Sequence, residues 1–294
     1  MTPPRITLVT PSFNQSRFLP ACMDSVLEQH YPELEYYVLD GASSDGSRDI
    51  IEQRAARLAG WRSEKDEGQY AAIAEGLNQG TGEILGWINA DDLHFPWTLR
   101  LVADLFTRFP EMEWISSLRP VNWNRYGDPV YVGAKPGFSA GFFQKGLYLK
   151  RAGQTRTQCI QQESTFWRRS LWEKIGAGFS GDCPLAGDFD LWGRMFQHAK
   201  LVGVDAPLAG FRKHGDQRSL LQQEQYLKEA AQSLKRLGGE EEQGFPAWAR
   251  SRIRGTWWPF RHLPSLGLVQ PVVNLRWSER EDAWTKITEW IDLK

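Results

Sequence analysis

Apolar and polar positions along the first hundred residues switch between a strand-like and a helix-like period. Ile6 to Thr10 is a compact apolar run ended by Pro11-Ser12, the pattern of a buried strand. From about Arg17 to Gln29, residues Phe18, Leu19, Cys22, Val26 and Leu27 give one apolar face and predict an amphipathic helix. Tyr36-Tyr37-Val38-Leu39 predicts a second strand that ends on Asp40-Gly41. The polar turn Ser43-Ser44-Asp45-Gly46-Ser47 leads into a helix predicted over Asp49 to Leu58. A short strand near Trp61, a helix over about Tyr70 to Asn78 and a buried strand over Glu83 to Ile88 come next. Pro96 begins another helix, carrying Leu99, Val102, Leu105 and Phe106. This β-α-β-α order predicts an α/β fold with a mainly parallel sheet flanked by helices. Ligands of such sheets bind at the carboxyl ends of the strands, where Asp40 and Asp91 both fall.

The pattern loosens from Glu111 to about Arg156, rich in Gly, Pro and aromatics, and reads as edge strands and long loops that meet a second substrate. Helical spacing returns at Ser170 to Lys174 and Asp188 to His198, with short strands at Leu201 to Val204 and Leu208 to Phe211. Ser219 to Leu237 predicts an amphipathic helix before a glycine-bearing acidic break. These signals divide the chain into residues 1–215 and a helical, tryptophan-rich extension over 216–294. In that extension Trp257, Trp258, Trp277, Trp284 and Trp290 are interleaved with Arg and Lys. It reads as helices packed on the rest of the chain, with peripheral membrane contact as the alternative.

Composition narrows the partners. The chain carries 35 basic and 36 acidic side chains, a formal net charge of -1, which disfavours a general nucleic-acid binder. Three scattered cysteines, Cys22, Cys159 and Cys183, form neither a disulfide framework nor a zinc motif. The N-terminal stretch lacks the apolar core of a signal peptide, and no run of about eighteen apolar residues is present. A cytoplasmic protein is expected. Fourteen tryptophans are many for 294 residues. Trp87, Trp97, Trp123, Trp167 and Trp192 sit beside polar residues and are either core residues or platforms for sugar rings.

The candidate chemistry lies in the turns. Asn89-Ala90-Asp91-Asp92 places carboxylates just past a buried strand, where they can hold Mg²⁺ or Mn²⁺ on a diphosphate or cap the next turn. Asp40 precedes Gly41 and can bind a base edge or a ribose, or simply shape its turn. Ser63-Glu64-Lys65-Asp66-Glu67-Gly68-Gln69-Tyr70 is a charged loop before a helix. Asp188, in Gly187-Asp188-Phe189-Asp190-Leu191-Trp192, stands at a helix start as a general base, an N-cap, or both. His214 follows Arg212 and Lys213 in a basic loop, as a metal or phosphate contact or as a surface residue.

Two further segments complete a distinctive order: Val9-Thr10-Pro11-Ser12-Phe13-Asn14 at the start and Ser164-Thr165-Phe166-Trp167-Arg168-Arg169 later. Together these motifs, over about residues 5 to 215, resemble the family 2 glycosyltransferases of the GT-A fold, especially the bacterial branch that builds surface polysaccharides. The resemblance implies a nucleotide-sugar site from Pro11, Ser12, Asn14, Asp40, Gly41, Asp66, Gly68, Asn89, Ala90 and Arg212. It gives Asp40 the base, with uracil favoured, and gives Asp91, Asp92 and His214 a divalent metal, Mn²⁺ or Mg²⁺. Asp188 takes the role of the base that deprotonates an acceptor hydroxyl for inverting transfer to a saccharide or lipid-linked acceptor. Two positions depart from the family pattern. Asn89 replaces the first acid of the Asp-x-Asp motif, and Gly187 replaces the acid that precedes the base, with Asp190 as a candidate substitute. The Gln-x-x-Arg-Trp motif of processive synthases is absent where it is expected, which implies single transfer. The alternatives are a sugar nucleotidyltransferase, which the loop Pro11-Ser12-Phe13-Asn14-Gln15 disfavours, and a non-catalytic nucleotide-sugar-binding protein.

Overall fold

The computed structural model describes residues 2–149, 159–215, 217, 221–241 and 269–291. The first strand, β1 (Ile6–Ser12), is buried along its whole length, which explains its unbroken apolar pattern. Then come α1 (Leu19–Leu27), β2 (Leu34–Asp40), α2 (Ser47–Glu52), β3 (Gly60–Ser63), α3 (Gln69–Gln79) and β4 (Ile84–Trp87). β1 pairs in parallel with β2 and β4, and β2 pairs in parallel with β3. The short β5 (Leu93–His94) precedes α4 (Thr98–Arg108), whose Leu99, Val102, Leu105 and Phe106 are buried as their spacing predicts. The helix expected over Asp49 to Leu58 ends at Glu52, and a separate turn of 3₁₀ helix covers Ala55–Arg57.

The middle of the chain supplies β6 (Trp114–Ser117), β7 (Val121–Trp123), β8 (Pro129–Val132), α5 (Ala140–Gln144), β9 (Thr165–Arg168) and α6 (Arg169–Lys174). After them lie α7 (Gly187–Phe196), β10 (Leu201–Val204), β11 (Ala209–Arg212), α8 (Gln223–Arg236), β12 (Gln270–Ser278) and β13 (Ala283–Ile291). The main sheet has nine strands in the order β13-β12-β10-β6-β9-β4-β1-β2-β3. A smaller sheet runs β5-β11-β7-β8. Side-chain alternation along β1 sends Leu8 into one apolar cluster with α1 and α4, and Val9 into the other with α3 and α7.

Two expectations are corrected here. The stretch after Glu111 is not confined to edges: β6 lies inside the main sheet, fully buried, parallel to β10 and antiparallel to β9. Part of that stretch, residues 150–156, lies outside the described residues. Among the described residues beyond 215, α8 is helical and Gln270–Ile291 is an antiparallel hairpin, not a helix. β12 runs parallel to β10, with Val202 opposite Val273, so the main sheet crosses the expected boundary at 215. Val, Ile, Thr and Trp crowd this hairpin, and such branched and aromatic side chains favour a pleated, half-buried surface. Trp257 and Trp258 lie outside the described residues. Among the described residues no helix is long and apolar enough to cross a membrane.

Candidate active site

A cavity of about 810 Å³ opens over the carboxyl ends of β1, β2 and β4. Of the expected site residues, Pro11, Ser12, Asn14, Gly41, Asp66, Gly68, Asn89, Ala90, Asp91, Asp188 and His214 line it. Asp40, Asp92 and Arg212 are not among the lining residues. Phe13, Gln69 and Tyr70, from the quoted motifs, and Trp87, one of the tryptophans singled out above, also line it, and Gln162 and Tyr226 join them without any mark in the sequence.

The loops after β1 and β2 are stitched together by side chains. Asn14 holds a left-handed backbone, φ 52°, which asparagine tolerates better than most residues. Its amide donates to Ser43 Oγ at 2.7 Å, and its Oδ1 accepts from the Ser44 amide at 3.0 Å. Asp40 is fully buried and serves its own turn: Oδ2 accepts from the Ser43 amide at 2.9 Å and from Ser63 Oγ at 2.7 Å. Ser43 Oγ donates to the other oxygen. These contacts show Asp40 shaping its turn. The neighbouring Gly41 faces the cavity between Phe13 and Asp66; a Cβ there would stand 3.4 Å from each. Phe13 is 62% exposed at this lip, where it offers a free ring face.

The acidic cluster divides by its access to the cavity. Asp91 Oδ2 lies 2.9 Å from His214 Nε2, and both side chains line the cavity. Asp92, by contrast, is buried: Oδ1 accepts from the Arg212 amide at 2.8 Å and Oδ2 from Gln162 Nε2 at 3.2 Å. Burial, then the charges of Asp91 and Glu163, hold the Asp92 carboxyl well above the usual range. With both oxygens engaged by protein donors and no place in the cavity lining, Asp92 stands behind the wall, and of the expected trio Asp91 and His214 face the cavity. Arg212 also departs from expectation: its Nε donates to the Asp91 carbonyl at 2.6 Å, bracing the acidic loop from β11. Asn89 accepts from Gln69 Nε2 at 2.8 Å, a neutral pair where the family pattern has an acid.

Asp188 projects from the first turn of α7 and is partly buried. Its Oδ1 accepts from the Phe189 amide at 2.8 Å, with the Tyr226 and Tyr70 hydroxyls at 3.4 and 3.5 Å. Burial pushes its pKa up to about 6, against the pull of those donors. Glu163 escaped notice in the sequence, where a glutamate before a strand reads as solvated. It is 1% exposed in the 3₁₀ turn Gln162–Ser164. Burial raises its pKa to about 7, opposed by its backbone hydrogen bond and by Lys135 and aided by the charges of Asp91 and Asp188. The tryptophans mostly take the core alternative: Trp87, Trp167 and Trp192 are buried, with Trp87 stacked on Trp192 at 5.5 Å. Trp97 is 46% exposed, and its indole N–H is used on the Pro207 carbonyl.

Among the described residues no three His, Cys, Asp or Glu side chains gather into a metal cage. Asp91 and His214 supply two donors. Mg²⁺-type ions are commonly held by one or two carboxylates plus substrate phosphates and water, so this pair fits such an ion with a diphosphate as co-ligand.

A mainly parallel α/β sheet thus carries a cavity at its strand ends, with Asp188 and the Asp91–His214 pair on its wall, and the architecture is that of the GT-A fold. The chain belongs to glycosyl transferase family 2, whose model matches residues 7–168, more than half of its length. It is 27% identical over 245 residues to a PGL/p-HBAD biosynthesis glycosyltransferase of Mycobacterium bovis, covering 81% of this chain and 88% of that one. Its fold is similar to that of S. aureus TarS 1-349 in complex with UDP-GlcNAc, with a TM-score of 0.61 at 15% identity over 81% of this chain and 68% of TarS 1-349. The mannosyltransferase PcManGT of Pyrobaculum calidifontis, in complex with GDP-Man and Mn²⁺, matches with a TM-score of 0.52 at 20% identity over 90% and 84% of the two chains.

Proposed function

We propose that this protein is an inverting, non-processive glycosyltransferase that moves a sugar from a nucleoside-diphosphate donor, UDP-sugar favoured, to a saccharide or lipid-linked hydroxyl in polysaccharide biosynthesis. The observation that carries this reading is Asp188, whose pKa of about 6 suits a base at neutral pH and which shares one cavity with the Asp91–His214 pair. The acceptor oxygen attacks the anomeric carbon, its proton passes to Asp188, and the bond to the β-phosphate oxygen breaks on the opposite side. Configuration at the anomeric carbon inverts, and a nucleoside diphosphate leaves. A divalent ion held by Asp91 and His214 neutralises the diphosphate when bound. Phe13, Gly41 and Asp66 form the end of the cavity suited to the base. The UDP-GlcNAc and GDP-Man of the two structural neighbours support a nucleotide-sugar donor.

The experiment is a thermal-shift screen of UDP, GDP and dTDP with and without Mn²⁺, followed by transfer assays of Asp188→Asn. One nucleotide should raise the melting temperature selectively with Mn²⁺, and Asp188→Asn should bind it while losing transfer. Full transfer by Asp188→Asn would overturn the base assignment, and no nucleotide response at all would overturn the donor reading.

A further inference from the structure

We propose that α8, which lies beyond the matched family region, belongs to the catalytic apparatus: Tyr226 orients Asp188, and Glu229 fixes the turn from which Asp188 projects. This rests on the reading of Asp188 as the base.

The first amides of a helix have no acceptor within it, and Ala186 at the start of α7 offers no side-chain cap. Glu229, 3% exposed, reaches across from α8 to the N-cap residue and the one before it, the turn that leads into the helix. Its Oε2 accepts from the Leu185 amide at 2.8 Å and the Ala186 amide at 3.0 Å, while Oε1 accepts from Gln225 Nε2 at 2.9 Å. A carboxylate at a helix N-terminus is also favoured by the helix dipole. Asp190 does not substitute for the missing acid. Its oxygens are taken by Arg194 Nε at 3.0 Å, Ser233 Oγ at 2.7 Å and the Arg236 guanidinium, a second tie between α7 and α8.

The sequence departure at Gly187 has a steric cause. A Cβ there would stand 2.6 Å from the Tyr70 ring, so that position cannot carry an acid while Tyr70 occupies its place. The acid instead comes from another helix.

Tyr226 acts on the other side of the turn. The Tyr70 hydroxyl has one proton, and its nearer acceptor is the Leu185 carbonyl at 3.0 Å rather than Asp188 at 3.5 Å. It also accepts from the Asp188 amide at 3.2 Å. Tyr226 therefore supplies the phenolic donor to Asp188 Oδ1, beside the Phe189 amide. All three of these contacts fall on Oδ1. The titratable groups that face Asp188 are Tyr70 from α3, Tyr226 from α8 and Glu163 from the 3₁₀ turn.

The test follows the Asp188 carboxyl by ¹³C NMR in protein labelled at its aspartate carboxyl carbons, with Asp188→Asn assigning the resonance. A hydrogen bond to the charged form lowers a carboxyl pKa, so Tyr226→Phe should raise the Asp188 midpoint by roughly half a unit or more. Amide exchange at Leu185 and Ala186 should quicken about tenfold in Glu229→Ala and stay near wild type in Glu229→Gln, which keeps an acceptor oxygen. An unchanged Asp188 midpoint in Tyr226→Phe overturns the role of Tyr226, and unchanged exchange in Glu229→Ala overturns that of Glu229. Retained transfer by Asp188→Asn sinks the base reading alone, since neither measurement here depends on turnover.

Discussion

His214 Nε2 sits 2.9 Å from Asp91 Oδ2, although the two residues are 123 positions apart in the chain. β5 and β11 pair antiparallel, with His94 opposite Ala209, and so bring the loop after β4 to the loop after β11. The Arg212 guanidinium and the Asp92 carboxyl then lock those loops from behind. The pair on the cavity wall is thus held by a polar bracket that does not itself line the cavity.

Replacing either member of the pair should weaken Mn²⁺-dependent nucleotide binding without unfolding the protein. Asp91→Asn and His214→Ala are each expected to lower the affinity for nucleotide plus Mn²⁺ by about tenfold or more, as loss of one ligand or its close partner commonly does. Isothermal titration with and without Mn²⁺ measures this; equal affinity in wild type and both variants would remove the pair from the donor site.

Asp92 should behave in the opposite way. Asp92→Asn keeps an oxygen for the Arg212 amide, and burial already favours the uncharged acid, so nucleotide affinity should hold. Asp92→Ala orphans that amide and the Gln162 side chain, at a cost of about 2–4 kcal/mol in chemical denaturation. A Mn²⁺ defect in Asp92→Asn as large as that of Asp91→Asn would restore Asp92 to the metal site.

Transfer should follow the ionisation of Asp188, falling with decreasing pH below about 6. Stability runs against this. Because the native carboxyl titrates near 6 and an unfolded aspartate near 4, its contribution is full below about pH 4 and lost as pH rises through about 6. Asp188→Asn should therefore be more stable than wild type at pH 8, by about 1–2 kcal/mol after allowance for partial exposure, and no more stable at pH 3.5. Urea unfolding at the two pH values checks the sign.

Gly187→Ala should damage the active site through packing alone. The added methyl meets the Tyr70 ring at 2.6 Å, in a place where the ring is held by the Leu185 carbonyl and the Asp188 amide. A loss of about 1–3 kcal/mol is expected from such overpacking. Pairing it with Tyr70→Leu should recover stability without recovering turnover, as measured by melting and transfer assays.

The fold was most legible where burial is two-sided. β1 and β4 are unbroken apolar runs, and α4 shows its buried face at helical spacing, so their identities follow from pattern alone. β12 and β13 were not legible, because tryptophans among Arg and Lys fit either a half-buried strand or an amphipathic helix. Their register against β10 is a long-range fact. In the site, the motif residues nearly all reached one cavity, since turns at strand ends converge by topology. Which carboxyl faces the cavity is settled by packing: Asp91 and Asp92 are adjacent in sequence, yet one lines the cavity and the other is buried behind it. Tyr226 and Glu229 had no local mark, because a tyrosine and a glutamate on an amphipathic helix are ordinary until the helix is docked on α7.

The parallel pairing of β12 with β10 carries a consequence for biosynthesis. Leu201 to Val204 leave the ribosome long before Val273 to Leu275, so in the growing chain β10 has an open edge. That edge consists of apolar residues, the kind of strand that recruits foreign partners when unpaired. If β10 folds during vectorial synthesis, that edge stays open until the distant hairpin emerges to pair with it.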